Sequence, residues 1–174
     1  MTAYNILRDS EGFYYVFCKL EEIDTVPKFT PDSEKRRRDL EEYEKRHRQL
    51  PFLMSPMITN GALAIELAFK FLIFKENLEF ECEHKLDILF LQLPQKYGDE
   101  LRTKIYEQIH QNEESLMKNL NQISNLFVEA RYSFEWDTIG YSNFFTDLVH
   151  LVCDYVIDMK KEYIHEEDDI LADD

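Results

Sequence analysis

The sequence is poor in turn-forming residues, in basic residues and in cysteine. Only 4 of its 174 residues are glycine and 5 are proline, which disfavours a turn-rich β-sandwich or barrel. Its 20 Lys and Arg are outnumbered by 35 Asp and Glu, so the formal net charge is −15. This balance argues against a protein that coats phosphate backbones over its whole surface. Hydrophobic residues make up 44% of the chain, enough for the core of one ordinary domain.

Several motifs that mark known classes of site are missing. The three cysteines are widely spaced and form no Cys-x-x-Cys pair, so neither a zinc ribbon nor a disulfide scaffold is expected. We expect Cys18, Cys82 and Cys153 to be buried, reduced thiols of a cytoplasmic protein. The sequence has no glycine-rich phosphate loop, nucleophile elbow or His-Glu-x-x-His motif, and the histidines share no metal-ligand spacing. We therefore predict no metal site and no cofactor.

A hydrophobic run long enough for a membrane span is also missing. The longest apolar stretch, residues 61–74, is interrupted by Glu66 and Lys70 and is shorter than the roughly 20 residues that a spanning helix needs. Residues 1–12 lack the basic and apolar segments of a signal peptide. We therefore expect a buried helix at 61–74 and no membrane partner.

Helical spacing of apolar residues recurs along the chain, and no strand-like alternation or internal repeat stands out. A break near Asn112 divides one long periodic segment, and Asp32 or Ser33 is a candidate N-cap. The sequence predicts an all-α bundle of five to seven helices in one domain, residues 1–165, followed by a disordered acidic tail at 166–174. The predicted helical segments are 3–22, 33–49, 57–78, 84–93, 98–135 and 141–165, with a loop at 26–31.

The segment 33–49 contains the densest group of basic residues, interleaved with acids three and four positions away. One interpretation is an exposed helix that neutralises its own charges. The alternative is a contact for nucleic acid or for the acidic tail of another subunit.

Three stretches resemble a known family. They are residues 60–74 (NGALAIELAFKFLIF), 84–94 (HKLDILFLQLP) and 125–135 (NLFVEARYSFE). In this order they resemble the HEPN superfamily of prokaryotic helical domains, over roughly residues 57–140. The resemblance implies an all-α bundle that forms a homodimer and acts in defence, toxin–antitoxin or stress systems. Many members cleave RNA, and others only bind RNA, nucleotides or proteins.

The nuclease members carry an arginine followed, after four to six residues, by a histidine. Here the positions after Arg131 where that histidine would fall hold Trp136, Asp137 and Thr138. The first hypothesis is therefore a HEPN-like binding domain without the usual nuclease motif, with RNA, a nucleotide or a protein as its partner. An alternative is a divergent, metal-independent endoribonuclease that uses Arg131 and His84. A third is an acidic inhibitor or nucleic-acid mimic that binds a basic protein.

The candidate site begins with Glu66 and Lys70, which lie four positions apart on an otherwise apolar helix. Buried ions need partners because desolvation costs several kcal/mol per ion. The two could simply pair with each other, as in many structural ion pairs. They could also meet Arg131 and Glu135 in one network, with Arg131 binding an anion or phosphate through its guanidinium.

Three further residues complete the candidate site. His84 is either a capping or surface histidine or an acid–base partner of the same network, since histidine exchanges protons near neutral pH. Tyr132 and Asn125 could complete a polar pocket, although a half-buried aromatic residue commonly has no such role.

Overall fold

The computed structural model describes residues 2–24, 31–49, 53–76, 83–131 and 143–160. These residues contain seven α-helices, which confirms the predicted all-α bundle. In chain order the helices are α1 (Ala3–Asp24), α2 (Ser33–Gln49), α3 (Met54–Lys75), α4 (Leu86–Leu91), α5 (Gln95–Ile109), α6 (Glu113–Arg131) and α7 (Asn143–Asp158).

Local side-chain chemistry explains two of the helix boundaries. Asp32 caps α2, because its Oδ1 accepts the backbone N–H groups of Glu34 and Lys35 at 3.0 Å each. The predicted break near Asn112 is confirmed, since α5 ends where His110 adopts a left-handed backbone conformation with φ 58°. Asn112 then accepts the N–H of Ser115 at 2.9 Å and starts α6.

Helix α3 is the centre of the core and packs against α1, α4, α6 and α7. Residues on nearly all of its faces are fully buried, among them Ile65, Phe69 and Leu72, as expected for a helix that is apolar all round. The stretch Ser55–Lys75 is long and apolar enough to cross a membrane by length and composition alone, but 72% of its most apolar window is buried inside the protein. Such burial is typical of the core helix of a helical bundle.

A close approach of three helices explains why residue 61 is glycine. A Cβ placed there would lie 2.7 Å from Phe145 Cζ and 3.0 Å from side-chain carbons of Phe17 and Val149. These neighbours belong to α1 and α7, and Phe17 and Phe145 are fully buried rings that meet edge to face. The missing side chain therefore lets α3 contact both outer helices.

Two glycine-to-alanine substitutions separate this steric effect from helix propensity. Gly61→Ala should lower the free energy of unfolding by about 1–3 kcal/mol, because overpacking outweighs the gain in helix propensity. Gly12→Ala is the matched control. A Cβ at Gly12 meets nothing within 4 Å, so this variant should gain roughly 0.5–1 kcal/mol. Urea unfolding measures both, and equal stabilisation by the two variants would contradict the close approach.

The exposure of helix α2 is compatible with both interpretations of the basic segment. Its described side chains are almost all exposed, and Arg37 Nε lies 3.8 Å from Glu41 Oε1 one turn away. Such exposed pairs stabilise a helix by only about 0.3–0.5 kcal/mol.

Of the two thiols that the structure describes, Cys153 has the expected burial and Cys18 has it only in part. Cys153 is buried and Cys18 is half-buried, and both are free. Burial, the largest cause in each case, raises the pKa of both thiols, so neither has the character of a reactive thiolate. Three other predictions lie outside the described residues: the burial of Cys82, most of the loop at 26–31 and the tail at 166–174.

Candidate functional site

Three of the predicted site residues meet at one atom, the Oε1 oxygen of Glu66. Lys70 Nζ donates to this oxygen at 2.7 Å, and His84 Nδ1 lies 2.9 Å from it. Glu66 and Lys70 are buried, with 5% and 8% of their surfaces exposed, whereas the His84 side chain is 70% exposed. The cluster of Glu66, Lys70 and His84, here called the Glu66 cluster, therefore runs from the core helix to the surface.

The shared oxygen fixes the orientation of the imidazole. An ionised carboxylate can only accept hydrogen bonds, so the His84 nitrogen that contacts Glu66 must carry its proton. In a neutral imidazole this leaves Nε2 with a free lone pair. Among the residues that the structure describes, none forms a hydrogen bond with Nε2, a nitrogen that can accept a proton or, once protonated, donate to an anion.

The backbone before α4 holds His84 in place. Glu83 Oε1 accepts the backbone N–H groups of His84 and Lys85 at 2.8 Å each. These two bonds, that of Lys85 first, lower the pKa of the Glu83 carboxyl. Glu83 therefore holds the backbone of the two residues before α4, and the His84 side chain lies at the surface in contact with Glu66, with no side-chain cap at the start of α4.

Helix α6 contacts α4 through a separate group of polar side chains. Ser124 Oγ accepts the N–H of Leu86 at 2.8 Å, and Asn121 Nδ2 donates to Asp87 Oδ2 at 3.1 Å. Asn125 is exposed, and its side-chain amide donates to Asn121 Oδ1 at 3.4 Å. The predicted site residue Asn125 is thus joined to the start of α4 and makes no direct bond to Glu66.

The structure describes the remaining predicted site residues only in part. Arg131 is the last residue of α6, which packs against α3, but its side chain lies outside what is described, as do Tyr132 and Glu135. The proposed meeting of Glu66 and Lys70 with Arg131 and Glu135 thus stays a prediction, while the pairing of Glu66 with Lys70 is observed.

A second polar cluster joins α1 and α7 and was not predicted from the sequence. Tyr14 Oη lies 2.8 Å from His150 Nδ1 and donates to Asp154 Oδ1 at 2.9 Å. His150 Nε2 lies 2.8 Å from Glu21 Oε2. These partners are more than 120 positions apart in the chain, and no motif links them, so only the packing of the first helix on the last could reveal them.

Neither cluster has the donor set of a metal centre. Within the described ranges, no three His, Cys, Asp or Glu side chains lie close enough together to hold a metal ion. The chemistry that these residues offer is hydrogen bonding and proton transfer.

Comparisons with known proteins identify no relative. No family model matches the chain, and no curated protein or solved structure matches it. The resemblance to the HEPN superfamily therefore rests on the residues quoted above.

Proposed function

We propose that this chain is a HEPN-like helical binding domain that forms a homodimer and binds RNA or a nucleotide at the Glu66 cluster. The observation that carries the proposal is the path from a buried ion pair to an exposed imidazole. Glu66 holds His84 in one orientation, and the protonated ring can donate Nε2–H to a phosphate oxygen. Charge-assisted bonds of this kind are shorter and stronger than neutral ones.

The net charge of the chain limits the proposal to one local anion site. With a net charge of −15, long-range attraction does not bring a polyanion to the surface in general. A site limited to one imidazole and its neighbours needs no basic surface. Arg131, at the end of α6 and within the third stretch that resembles the HEPN superfamily, is proposed to bind phosphate through its guanidinium. A role in prokaryotic defence, toxin–antitoxin or stress systems belongs to the same resemblance.

Binding of a labelled single-stranded RNA and of ATP to three proteins tests the site. His84→Gln should weaken binding about tenfold relative to the wild type, because it removes one charge-assisted hydrogen bond. His110→Asn is the matched control, since His110 is an exposed histidine in a left-handed conformation that asparagine tolerates. It should bind as the wild type does. Fluorescence anisotropy and calorimetry give the affinities, and sedimentation gives the oligomeric state.

Two results would contradict this proposal. One is that the wild type binds neither probe up to millimolar concentration. The other is that all three proteins bind with equal affinity, which would place the ligand away from His84.

A second candidate, a divergent metal-independent endoribonuclease, is favoured by the contact between Glu66 Oε1 and His84 Nδ1. A carboxylate that fixes the tautomer of a histidine leaves the opposite nitrogen as a general base. His84 Nε2 would take the proton of a ribose 2′-hydroxyl. The 2′ oxygen would then form a bond to the adjacent phosphorus as the bond to the 5′ oxygen breaks, and the leaving 5′ oxygen would take a proton from water to become a 5′-hydroxyl.

Cleavage of RNA in the presence of EDTA separates the two candidates. The nuclease candidate predicts products with 2′,3′-cyclic phosphate and 5′-hydroxyl ends, with activity lost in both His84→Gln and Arg131→Ala and kept in His110→Asn. Intact RNA with the wild type at pH 5 to 9 would exclude the nuclease and leave the binding domain.

A further inference from the structure

A continuous chain of hydrogen bonds joins the first helix to the last. It runs from Glu21 to His150, from His150 to Tyr14 and from Tyr14 to Asp154, with heavy-atom separations of 2.8, 2.8 and 2.9 Å. Glu21 and Tyr14 lie on α1, and His150 and Asp154 lie on α7. We call these four residues the α1–α7 relay.

Counting protons shows which state of His150 the α1–α7 relay requires. The chain contains three hydrogen bonds, and its two ends are carboxylates, which accept only when ionised. Tyr14 supplies one proton, and the imidazole must then supply the other two. A neutral imidazole supplies one, so one of the three short contacts would bring two lone pairs together.

The environment of Tyr14 identifies the direction of its bond. Burial, and next the hydrogen bond to Asp154, raise the pKa of the Tyr14 hydroxyl, so the phenol keeps its proton. An ionised Asp154 can only accept a hydrogen bond, so the 2.9 Å contact requires the Tyr14 hydroxyl to donate to it. Tyr14 Oη is then an acceptor toward His150 Nδ1. The remaining donor, Nε2–H, points to Glu21.

The surroundings of His150 allow it to exchange a proton. Its side chain is 36% exposed and that of Glu21 is 31% exposed, so water reaches the pair. The titratable groups that face the ring are Glu21, Tyr14 and, beside Tyr14, the thiol of Cys18 from α1, together with Asp154 of α7. Phe17 contacts the ring edge to face at 5.6 Å. No described titratable group of α3 or α5 is seen to contact the ring, and Glu100 and Lys104 of α5 contact Tyr155 instead.

We propose that His150 is a proton-operated clamp, in which the doubly protonated imidazole completes the α1–α7 relay and holds α7 against α1. Loss of this proton as the pH rises removes one of the three bonds and weakens the attachment of α7. The ion pair of Glu11 of α1 with Lys160, which follows the end of α7, has a separation of 2.7 Å and forms a second link between these parts of the chain. In this proposal the pH dependence of the attachment arises at His150.

Stability at pH 6 and pH 8 tests the clamp. A group that binds more protons in the folded state makes stability fall as the pH rises, by up to tenfold in the unfolding constant per pH unit for one proton. From pH 6 to pH 8 the unfolding constant of the wild type should rise about tenfold more than that of His150→Gln. Tyr14→Phe, which keeps the ring and removes the acceptor, should show the same reduced dependence. The control His110→Asn should show the same pH dependence of stability as the wild type.

Nitrogen NMR of the intact wild type provides a measurement that does not depend on a variant folding. The ¹⁵N shifts of His150 at pH 6.5 should be those of an imidazolium with two N–H groups. Hydrogen exchange of the α7 amides should speed up on going to pH 8, after correction for the intrinsic rate. A neutral His150 at pH 6.5, or equal pH dependence in the wild type, His150→Gln and Tyr14→Phe, would overturn the proposal.

Discussion

Glu66→Ala is expected to lower the free energy of unfolding by about 3–5 kcal/mol, the loss typical when one partner of a buried ion pair is removed. Lys70 stays 8% exposed within the core and loses the carboxylate that lies 2.7 Å from its ammonium. An ammonium in an apolar environment is strongly disfavoured without its counter-ion. In urea unfolding at pH 7 this loss should appear as a lower urea concentration at the midpoint, with the dependence of the free energy of unfolding on urea unchanged.

A double substitution and a surface control make this prediction specific. Replacing both ions in Glu66→Leu/Lys70→Met should restore most of the stability, because well-packed apolar residues commonly match or exceed a buried ion pair. Glu41→Ala removes the acid of the exposed pair with Arg37, and we expect a change within about 0.5 kcal/mol. A loss of less than about 1 kcal/mol in Glu66→Ala would contradict a buried pair.

The restored double variant also separates structure from function. Its core is intact, but His84 lacks the carboxylate that orients it. If the Glu66 cluster serves only to fix the packing of α3, the double variant should bind the ligand with the affinity of the wild type. The proposed function instead requires binding to weaken in the double variant as it does in His84→Gln.

Phe17→Ala is expected to cost about 3–5 kcal/mol, as is usual when a buried phenylalanine is truncated. The ring is fully buried at the junction of α1, α3 and α7. It meets Phe145 edge to face with 6.0 Å between ring centres and contacts His150 as well. The cavity therefore opens where three helices meet, and collapse around it is limited because the facing residue on α3 is Gly61.

The neighbouring residue is the matched control for Phe17. Val16 is 40% exposed on the same helix, so Val16→Ala should change stability by no more than about 0.5 kcal/mol. The losses of stability measured by thermal and urea unfolding can be compared directly, because both variants truncate a side chain to alanine within α1. Similar losses in the two would mean that Phe17 does not pack against α7.

The helices were predictable from the sequence because their signals are local. Apolar residues at helical spacing, the cap at Asp32 and the break near Asn112 each depend on residues within a few positions of one another. The predicted limits differ from the observed ones by a few residues, as at α3, which spans Met54–Lys75 where 57–78 was expected. Helix ends depend on competing caps and contacts, so they carry the weakest signal.

The candidate site was predictable in part for a similar reason. Glu66 and Lys70 share one helix, so their pairing follows from a spacing of four residues. His84 reaches Glu66 because it lies just before α4. The sequence left open whether His84 capped a helix, lay at the surface or joined the ion pair. The contact to Glu66 is a tertiary one, 18 positions along the chain.

The sequence alone determined that the chain forms helices, that α3 is the most apolar of them and that two ions must find partners within it. The tertiary structure decided which atoms meet: one oxygen of Glu66 with both Lys70 and His84, and Tyr14 with a histidine 136 positions away. The physical reason is that periodicity and capping act over a few residues, whereas these contacts depend on how whole helices pack, with Gly61 allowing the close approach of α1, α3 and α7.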